Sequence, residues 1–228
     1  MATIDIINKA LKEGRTTLSE YESKIFLALY QIPVTREIFV TRGNDVLPAA
    51  HKIGFPVVMK GCAPEITHKT EKGLIRTDIR NDKEALDAFD DIMVNMNGSK
   101  GAVLVQEMIK GERELVMGLT RDPQFGPCVM FGLGGIFTEI LKDVSFRVAP
   151  LTKWDAFEMM QEIKAHKILD AVRGMEPVDR ELLSEMLINM GKIGLENDVV
   201  KEIDINPVII SGSRPIAVDA LIVLQSTV

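Results

Sequence analysis

Apolar residues recur along the chain at two spacings, three to four residues in some segments and two in others. The first spacing is typical of helices with one buried face and the second of half-buried strands. A capping pattern at 19–22 precedes one apolar stripe and predicts a helix that ends near Tyr30. The same reasoning predicts further helices at 44–52, 82–96, 152–165 and 179–197, and strands at 37–40, 56–60, 73–79, 102–107, 113–119, 128–131, 200–210 and 216–224.

The order of these segments predicts the fold class and the division of the chain. Helices and strands do not alternate as regular βαβ units, so the pattern favours an α+β fold with largely antiparallel sheets. The polar segment 97–101 contains two glycines and is the best candidate for a boundary near Lys100. We therefore expect an N-terminal extension at 1–17, a first subdomain at 18–100 and a second at 101–228.

The composition is that of a globular protein, and it disfavours two classes of partner. The chain has 228 residues, of which 46% are hydrophobic and 26% charged, and no apolar run approaches the ~20 residues that span a bilayer. A net charge of −6 and an aromatic content of 5% disfavour a nucleic-acid partner. Cys62 and Cys128 show no metal-binding spacing, which favours a reducing, cytoplasmic location.

The strongest local pattern lies in the strand predicted at 200–210. Glu202, Asp204 and Asn206 are spaced by two, so they share one face of a strand. If the following hairpin is centred between Gly212 and Ser213, Asn206 falls opposite Asp219. A carboxylate and an amide oxygen at that separation suit Mg²⁺. The alternative is a solvated sheet face, but a lone acid within an apolar strand needs a partner.

Three further features could contact a nucleotide, and each also has a simpler interpretation. Lys60 ends an apolar strand and could reach a phosphate, or its side chain could extend to water. Glu107 and Glu114 lie in successive strand segments and could accept hydroxyls or an exocyclic amine, or they could form a charged sheet edge. The glycine-rich segment 132–135 could bring backbone N–H groups to an anion, or it could be an ordinary loop.

His68 is a candidate of a different kind, because it lies in a polar loop between an acid and a base, Glu65 and Lys69. A neutral imidazole is a good nucleophile toward phosphorus at neutral pH, and a loop can move its load between sites. An isolated loop histidine is more commonly just exposed, so this residue alone does not decide the function.

Seven stretches of the sequence occur in the same order in a known family. They are 56–60, 66–69, 106–108, 121–127, 131–137, 142–147 and 202–207. Through them the chain resembles, from about Leu18 to Leu224, the ATP-grasp β subunit of ADP-forming acetyl-CoA synthetase, which is related to succinyl-CoA synthetase. The resemblance implies an ATP-grasp fold of two α+β subdomains with the nucleotide bound between them. It also implies the reversible reaction acyl-CoA + ADP + phosphate ⇌ acid + ATP + CoA.

The resemblance further implies a cofactor set, ATP/ADP with Mg²⁺, and roles for the residues that would hold the nucleotide. Lys60 corresponds to a contact of the nucleotide phosphates. Glu107 corresponds to the position beside the adenine and Glu114 to the position beside the ribose. Asn206 and Asp219 correspond to the Mg²⁺ ligands, in agreement with the hairpin argument.

Three residues correspond to the chemistry of phosphoryl transfer in that family. Asp204 takes a position near the transferred phosphoryl group, and His68 corresponds to a second phosphate carrier. Arg147 lies in a shared stretch, and we expect it to contact phosphate.

The chain contains no glycine-rich Rossmann fingerprint, a feature that the resemblance assigns to an α subunit with the CoA-binding and ligase domains. We therefore expect a separate β subunit that works with such a partner, as α2β2 by resemblance. Two alternatives stay open at this point. One is a stand-alone ATP-grasp carboxylate ligase, and the other is a non-catalytic regulatory subunit.

Overall fold

The computed structural model describes residues 2–63, 73–96, 101–135 and 142–225, with side chains from Asp5 onward. In these ranges the helices are α1 (Ala2–Lys12), α2 (Glu20–Leu29), α3 (Val46–Ile53), α4 (Asp82–Asn95), α5 (Lys153–Glu162) and α6 (Arg180–Glu196). The strands are β1 (Glu37–Val40), β2 (Val57–Cys62), β3 (Ile75–Ile79), β4 (Ala102–Glu107), β5 (Arg113–Asp122), β6 (Gly126–Leu133), β7 (Val144–Val148), β8 (Val200–Ser211), β9 (Arg214–Ala217) and β10 (Leu221–Leu224). All the strand ladders are antiparallel, so the predicted α+β class is confirmed.

The chain divides into two compact units. The large unit comprises Met1–Leu18, Glu22–Val34 and Lys110–Val228, and the small unit comprises Ser19–Tyr21 and Thr35–Ile109. The division differs from the one predicted near Lys100, because β4 pairs with β1 and β2 and therefore belongs to the small unit. The N-terminal residues are also not an extension. They include the unpredicted helix α1, and Leu18 donates a backbone hydrogen bond to Ile222 within the large unit.

The small unit is built on a four-stranded sheet with the order β1-β4-β2-β3. Helices α3 and α4 pack on one face of this sheet and enclose an apolar core that includes Met59, Val103 and Val105. Residues directly opposite in register share a face, so Lys60, paired with Leu104, lies on the other face.

The large unit is built on a six-stranded sheet, in which β10, β8, β5, β6 and β7 lie side by side and β9 also pairs with β8. Helices α5 and α6 cover one face, where Leu119, Val129 and Ile203 are all buried. The residues that alternate with these lie on the opposite face. That face carries Asp204 and Asn206.

Local capping explains why several predicted helices begin where they do. The Asn81 side chain accepts a hydrogen bond from the Glu84 N–H at 3.0 Å, and Asp179 accepts one from Leu182 at 3.0 Å. Thr152 forms a reciprocal capping box with the third residue of α5. These contacts lie within a few residues of sequence, so the sequence pattern was sufficient to predict them.

The C-terminal hairpin differs from the predicted one, because the strand expected at 216–224 is interrupted. β9 pairs with β8 as far as Ala217 opposite Val208, and β10 resumes with Leu221 opposite Asp204. Residues 218–220 between them are not strand. The interruption lies beside a bulge in β8, whose register against β5 shifts near Asn206, and a bulge disrupts regular pairing locally.

The described part of the chain contains no helix that is long and apolar enough to cross a membrane.

Candidate functional site

The hairpin of the large unit brings Asn206 and Asp219 to the same place. The two ladders on either side of the interruption keep one register, so Asn206 lies opposite Asp219, as the turn arithmetic predicted. Val218 donates a backbone hydrogen bond to the Pro207 carbonyl at 3.0 Å, which holds the two chain segments together beside this pair.

A glycine pair completes the same corner of the large unit. Gly134 donates its N–H to the Glu114 carbonyl at 2.9 Å, and Gly135 donates to the Asn206 side-chain oxygen at 3.3 Å. A Cβ on Gly135 would lie 2.3 Å from a Glu114 carboxylate oxygen, and its φ of +62° also favours glycine. The glycines therefore allow this loop to approach closely, and Glu114 and Asn206 are brought together.

Asp204 adds negative charge to the face that carries Asn206. Burial raises the pKa of the Asp204 carboxyl above its ordinary value, and the nearby carboxylates of Glu202 and Asp219 raise it further. A cation bound here would offset this repulsion. Asp204 lies two residues before Asn206 on β8, while Ile203 and Ile205 face the core.

The donor set fits the metal that the fold family implies. Within the described ranges, no group of three or more His, Cys, Asp or Glu side chains is arranged to hold a metal ion. Mg²⁺ does not need such a cage, because it commonly takes one or two protein oxygens and completes its shell with phosphates and water. Asn206 supplies an amide oxygen and Asp219 a carboxylate, which are donors of that type.

In the small unit, Lys60 forms a buried ion pair. Its ammonium nitrogen lies 2.8 Å from a Glu20 carboxylate oxygen, and the two side chains are only 6% and 1% exposed. The alternative in which the Lys60 side chain extends to water is therefore wrong. A buried cation on a strand and its acidic partner at the start of α2 are held in fixed positions, which is a requirement for a charge that must meet a phosphate.

Glu107 lies at the end of β4, and its carboxylate is bonded to Arg36. The Arg36 backbone N–H and Nε donate to it at 2.7 and 2.8 Å. Glu107 is paired with Val57 and therefore lies on the sheet face opposite to Lys60, whereas Gln106 shares the Lys60 face. The structure thus does not bring the Glu107 carboxylate together with Lys60.

Arg147 lies apart from the acidic hairpin. It pairs with Val129 on β6 and so belongs to the helix-covered face, opposite to that of Asp204. Its guanidinium donates to both Glu162 carboxylate oxygens, at 2.5 and 2.8 Å. The structure therefore does not bring Arg147 together with the acidic hairpin, and its side chain joins β7 to the end of α5. A phosphate contact of Arg147 stays a prediction.

His68 lies outside the described residues. The sequence analysis missed two side chains that hold the candidates, Glu20 beside Lys60 and Arg36 beside Glu107. In the sequence, Glu20 is part of the helix-capping pattern at 19–22. One signal could have found it, since a lysine in an apolar strand requires an acid if it is buried.

An ATP-grasp domain family model matches residues 9–224, and the chain belongs to that family. Within it, the chain is 47% identical to the Pyrococcus furiosus acetate–CoA ligase [ADP-forming] I subunit beta, over 96% of this chain and 97% of the relative. It is 38% identical to the Archaeoglobus fulgidus acetate–CoA ligase [ADP-forming] I, of which it spans 33% of the length. The same module thus occurs both as a subunit and as part of a longer chain.

The chain is also similar to solved structures of an acetyl-coenzyme A synthetase. The chain matches "Ca. Korarchaeum cryptofilum" dinucleotide forming acetyl-coenzyme A synthetase 1 in complex with coenzyme A, Ca-AMPCP and HgCl+. The TM-score is 0.93 at 44% identity, covering 97% of this chain and 99% of that one. A second structure of that protein, with coenzyme A and Mg-AMPPCP, has its phosphohistidine segment pointing towards the nucleotide binding site. It matches with a TM-score of 0.87 at 44% identity, covering 98% of this chain and 100% of that one.

Proposed function

We propose that this chain is the nucleotide-binding β subunit of an ADP-forming acetate or acyl-CoA ligase. The reaction converts acyl-CoA, ADP and phosphate to the carboxylic acid, ATP and CoA, and it is reversible. The observation that carries this proposal is the similarity to a β subunit over nearly the whole of both chains, 96% and 97%. The acidic hairpin supports it, because the hairpin offers oxygen donors for a metal–nucleotide complex.

In this proposal, each candidate residue contacts a different part of the metal–nucleotide complex. Asn206 and Asp219 would hold Mg²⁺, which supplies charge neutralisation for the phosphates. Lys60 would contact the phosphates with its ammonium, Glu114 would lie beside the ribose, and Asp204 would lie near the transferred group. Phosphoryl transfer depends mainly on positioning and electrostatic stabilisation, so the anchoring of these side chains matters more than their reactivity.

These roles rest on the family resemblance, and so do those of Glu107 and His68. Glu107, whose carboxylate is bonded to Arg36, would lie beside the adenine. His68 is placed as a phosphate carrier that accepts the phosphoryl group from ATP, with ADP as the leaving group, and returns it in the reverse direction.

The partner is an α subunit with the CoA-binding and ligase domains, in an α2β2 assembly. The relatives named subunit beta support a separate partner, and the longer Archaeoglobus fulgidus relative supports a larger functional unit, since this chain matches only 33% of it. The β chain alone is therefore expected to bind nucleotide without turning over acyl-CoA.

The test is a calorimetric titration of the full chain with ADP in the presence and absence of Mg²⁺. We expect Mg²⁺-dependent binding, and we expect Asn206→Ala or Asp219→Ala to weaken it by tenfold or more, which is about 1.4 kcal/mol. The matched control is Asp198→Ala, which removes a carboxylate that is 95% exposed and lies off the hairpin. It should bind as the unmodified chain does.

Three outcomes would contradict parts of this proposal. Absence of ADP binding would favour a regulatory subunit. Full ligase activity without an α subunit would favour a stand-alone ligase. Unchanged Mg²⁺-dependent binding in both hairpin variants would remove the metal site from Asn206 and Asp219.

A further inference from the structure

The segment that contains β9, Asp219 and β10 is hydrogen-bonded along both of its edges. One edge of β9 and β10 pairs with β8. The other edge is bonded to the N-terminal part of the chain: Leu18 donates to the Ile222 carbonyl at 3.0 Å, Leu224 donates to that of Thr16 at 2.7 Å, and Ala217 donates to that of Pro33 at 2.9 Å. These bonds lie on either side of residues 218–220.

Lys24 lies at this interruption. The residue is on α2, it is 1% exposed, and its ammonium donates to the Val218 carbonyl at 3.2 Å. The Val218 N–H donates to Pro207 at 3.0 Å. Both backbone polar groups of Val218 are therefore held, one by the residue that follows Asn206 and the other by Lys24. Val218 directly precedes Asp219.

We propose that Lys24 is a positioning residue for the metal site, where its buried ammonium holds the Val218 carbonyl and thereby fixes Asp219 opposite Asn206. The inference rests on the proposed function, because it concerns the metal that Asn206 and Asp219 would hold. Lys24 does not contact the metal or the nucleotide in this proposal.

Two physical arguments support a positioning role. A fully buried ammonium is costly to desolvate, and an apolar residue would fill the same volume without that cost. Mg²⁺ also demands near-ideal octahedral geometry, so a small shift of one ligand weakens its binding. A hydrogen-bond donor that fixes the backbone beside a metal-binding residue would explain why a lysine, and not an apolar residue, is buried here.

Loss of positioning and loss of charge predict opposite changes in the affinity for Mg²⁺. Removing a cation near a metal site should strengthen metal binding if only the repulsion between like charges mattered. Loss of positioning should instead weaken it. Lys24→Met keeps the length and apolar stem of the side chain and removes the donor and the charge, so it separates the two effects.

The experiment is a calorimetric titration of the full chain with ADP at a series of Mg²⁺ concentrations, together with ADP alone. We expect Lys24→Met to weaken the apparent Mg²⁺ affinity by tenfold or more and to leave the affinity for metal-free ADP within about twofold. Lys24→Arg keeps a charged donor and should recover part of the loss.

A control variant distinguishes this role from general support of the fold. Arg121 is also a cation of the large unit that donates to backbone carbonyls, at 2.7 Å to Gly194 and 3.2 Å to Val200. Arg121→Met should lower the melting temperature without changing the Mg²⁺ dependence.

The outcomes are distinguishable from failure of the proposed function. If the unmodified chain does not bind ADP with Mg²⁺, the proposed function fails before Lys24 is tested. If it binds, and Lys24→Met has an Mg²⁺ affinity equal to or tighter than the unmodified chain, only the positioning role is overturned. If Lys24→Met does not fold, Lys24→Gln is judged by the same criterion. Loss of folding in both variants would also overturn the role, because Lys24 would then serve the fold.

Discussion

At the scale of single residues, the main feature is that two lysines are buried. Both therefore need a polar partner for the ammonium group. Lys60 and Lys24 are 4% and 1% exposed. A buried ammonium is tolerated only where polar partners offset its desolvation. Lys60 has Glu20 at 2.8 Å and Lys24 has the Val218 carbonyl at 3.2 Å. The partner that offsets the desolvation of each ammonium group also fixes the position of that group.

The role of Glu20 can be tested with Glu20→Gln, which keeps the shape and removes the charge. Breaking a buried ion pair on one side leaves the other charge uncompensated, which destabilises a fold by about 3 kcal/mol. We expect that loss in urea unfolding, and we expect the affinity for Mg²⁺–ADP to fall tenfold or more because Lys60 loses its anchor.

The matched control for Glu20→Gln lies on the same helix. Glu22 forms two hydrogen bonds with Arg15, at 2.8 and 2.9 Å, and has no proposed part in nucleotide binding. Glu22→Gln should lower stability and leave ADP binding unchanged. Equal or tighter ADP binding by a folded Glu20→Gln would show that Glu20 does not position Lys60.

At the scale of elements, the sequence was sufficient where the deciding contacts are local. Helix starts near Asp82, Lys153 and Arg180 were predicted, because their capping partners lie within three or four residues. The register that places Asn206 opposite Asp219 was also predicted, since it follows from one tight turn. The fold expected around these elements is the one observed.

The remaining features of the fold and of the candidate site depend on contacts that the sequence does not reveal. The partner of Lys60 is 40 residues away along the chain, and the partner of Glu107 is 71 residues away. The interruption at 218–220 lies beside a bulge in β8, which the sequence also did not reveal. The sequence also did not reveal that Arg147 lies on the strand face opposite to that of Asp204, because a shared sequence stretch does not say which face a side chain occupies.

The capping box of α5 gives a prediction with a pH dependence. The Asp155 carboxylate accepts from the Thr152 N–H at 2.8 Å and from its hydroxyl at 2.6 Å. These bonds lower the pKa of Asp155 below its ordinary value. The folded-state pKa is therefore below the unfolded one, so the stabilisation is present at neutral pH and is lost as the pH falls through the lowered pKa.

We expect Thr152→Ala to cost about 1 kcal/mol of unfolding free energy at pH 7. The cost should shrink in acid, as the pH falls through the lowered pKa of Asp155 and its carboxylate takes up a proton. Urea unfolding at pH 7 and in acid measures the difference. Thr152→Ser keeps the hydroxyl and should behave as the unmodified chain does, and an equal cost of Thr152→Ala at both pH values would exclude the carboxylate from the effect.

At the scale of the whole molecule, each of the two units contributes an anchored charge to the proposed function. The small unit provides the Lys60–Glu20 pair, and the large unit provides the acidic hairpin with its glycine loop. The Pyrococcus furiosus relative of nearly equal length is named a subunit. In the proposed function, phosphate travels from this chain to chemistry on the α subunit, so a group that can carry it is required.

His68 is the residue we propose for that transfer. A neutral imidazole is a good nucleophile toward phosphorus at neutral pH. In a complex whose α subunit has its own phosphohistidine replaced, we expect radiolabelled ATP to leave an acid-labile, alkali-stable label on this chain, with loss of that label in His68→Ala. His51→Ala is the control, because His51 lies on the exposed side of α3 beside Asp82 and should not affect labelling. If His68→Ala retains the label and the complex with an unmodified α subunit keeps its full activity, phosphate reaches the α subunit without His68.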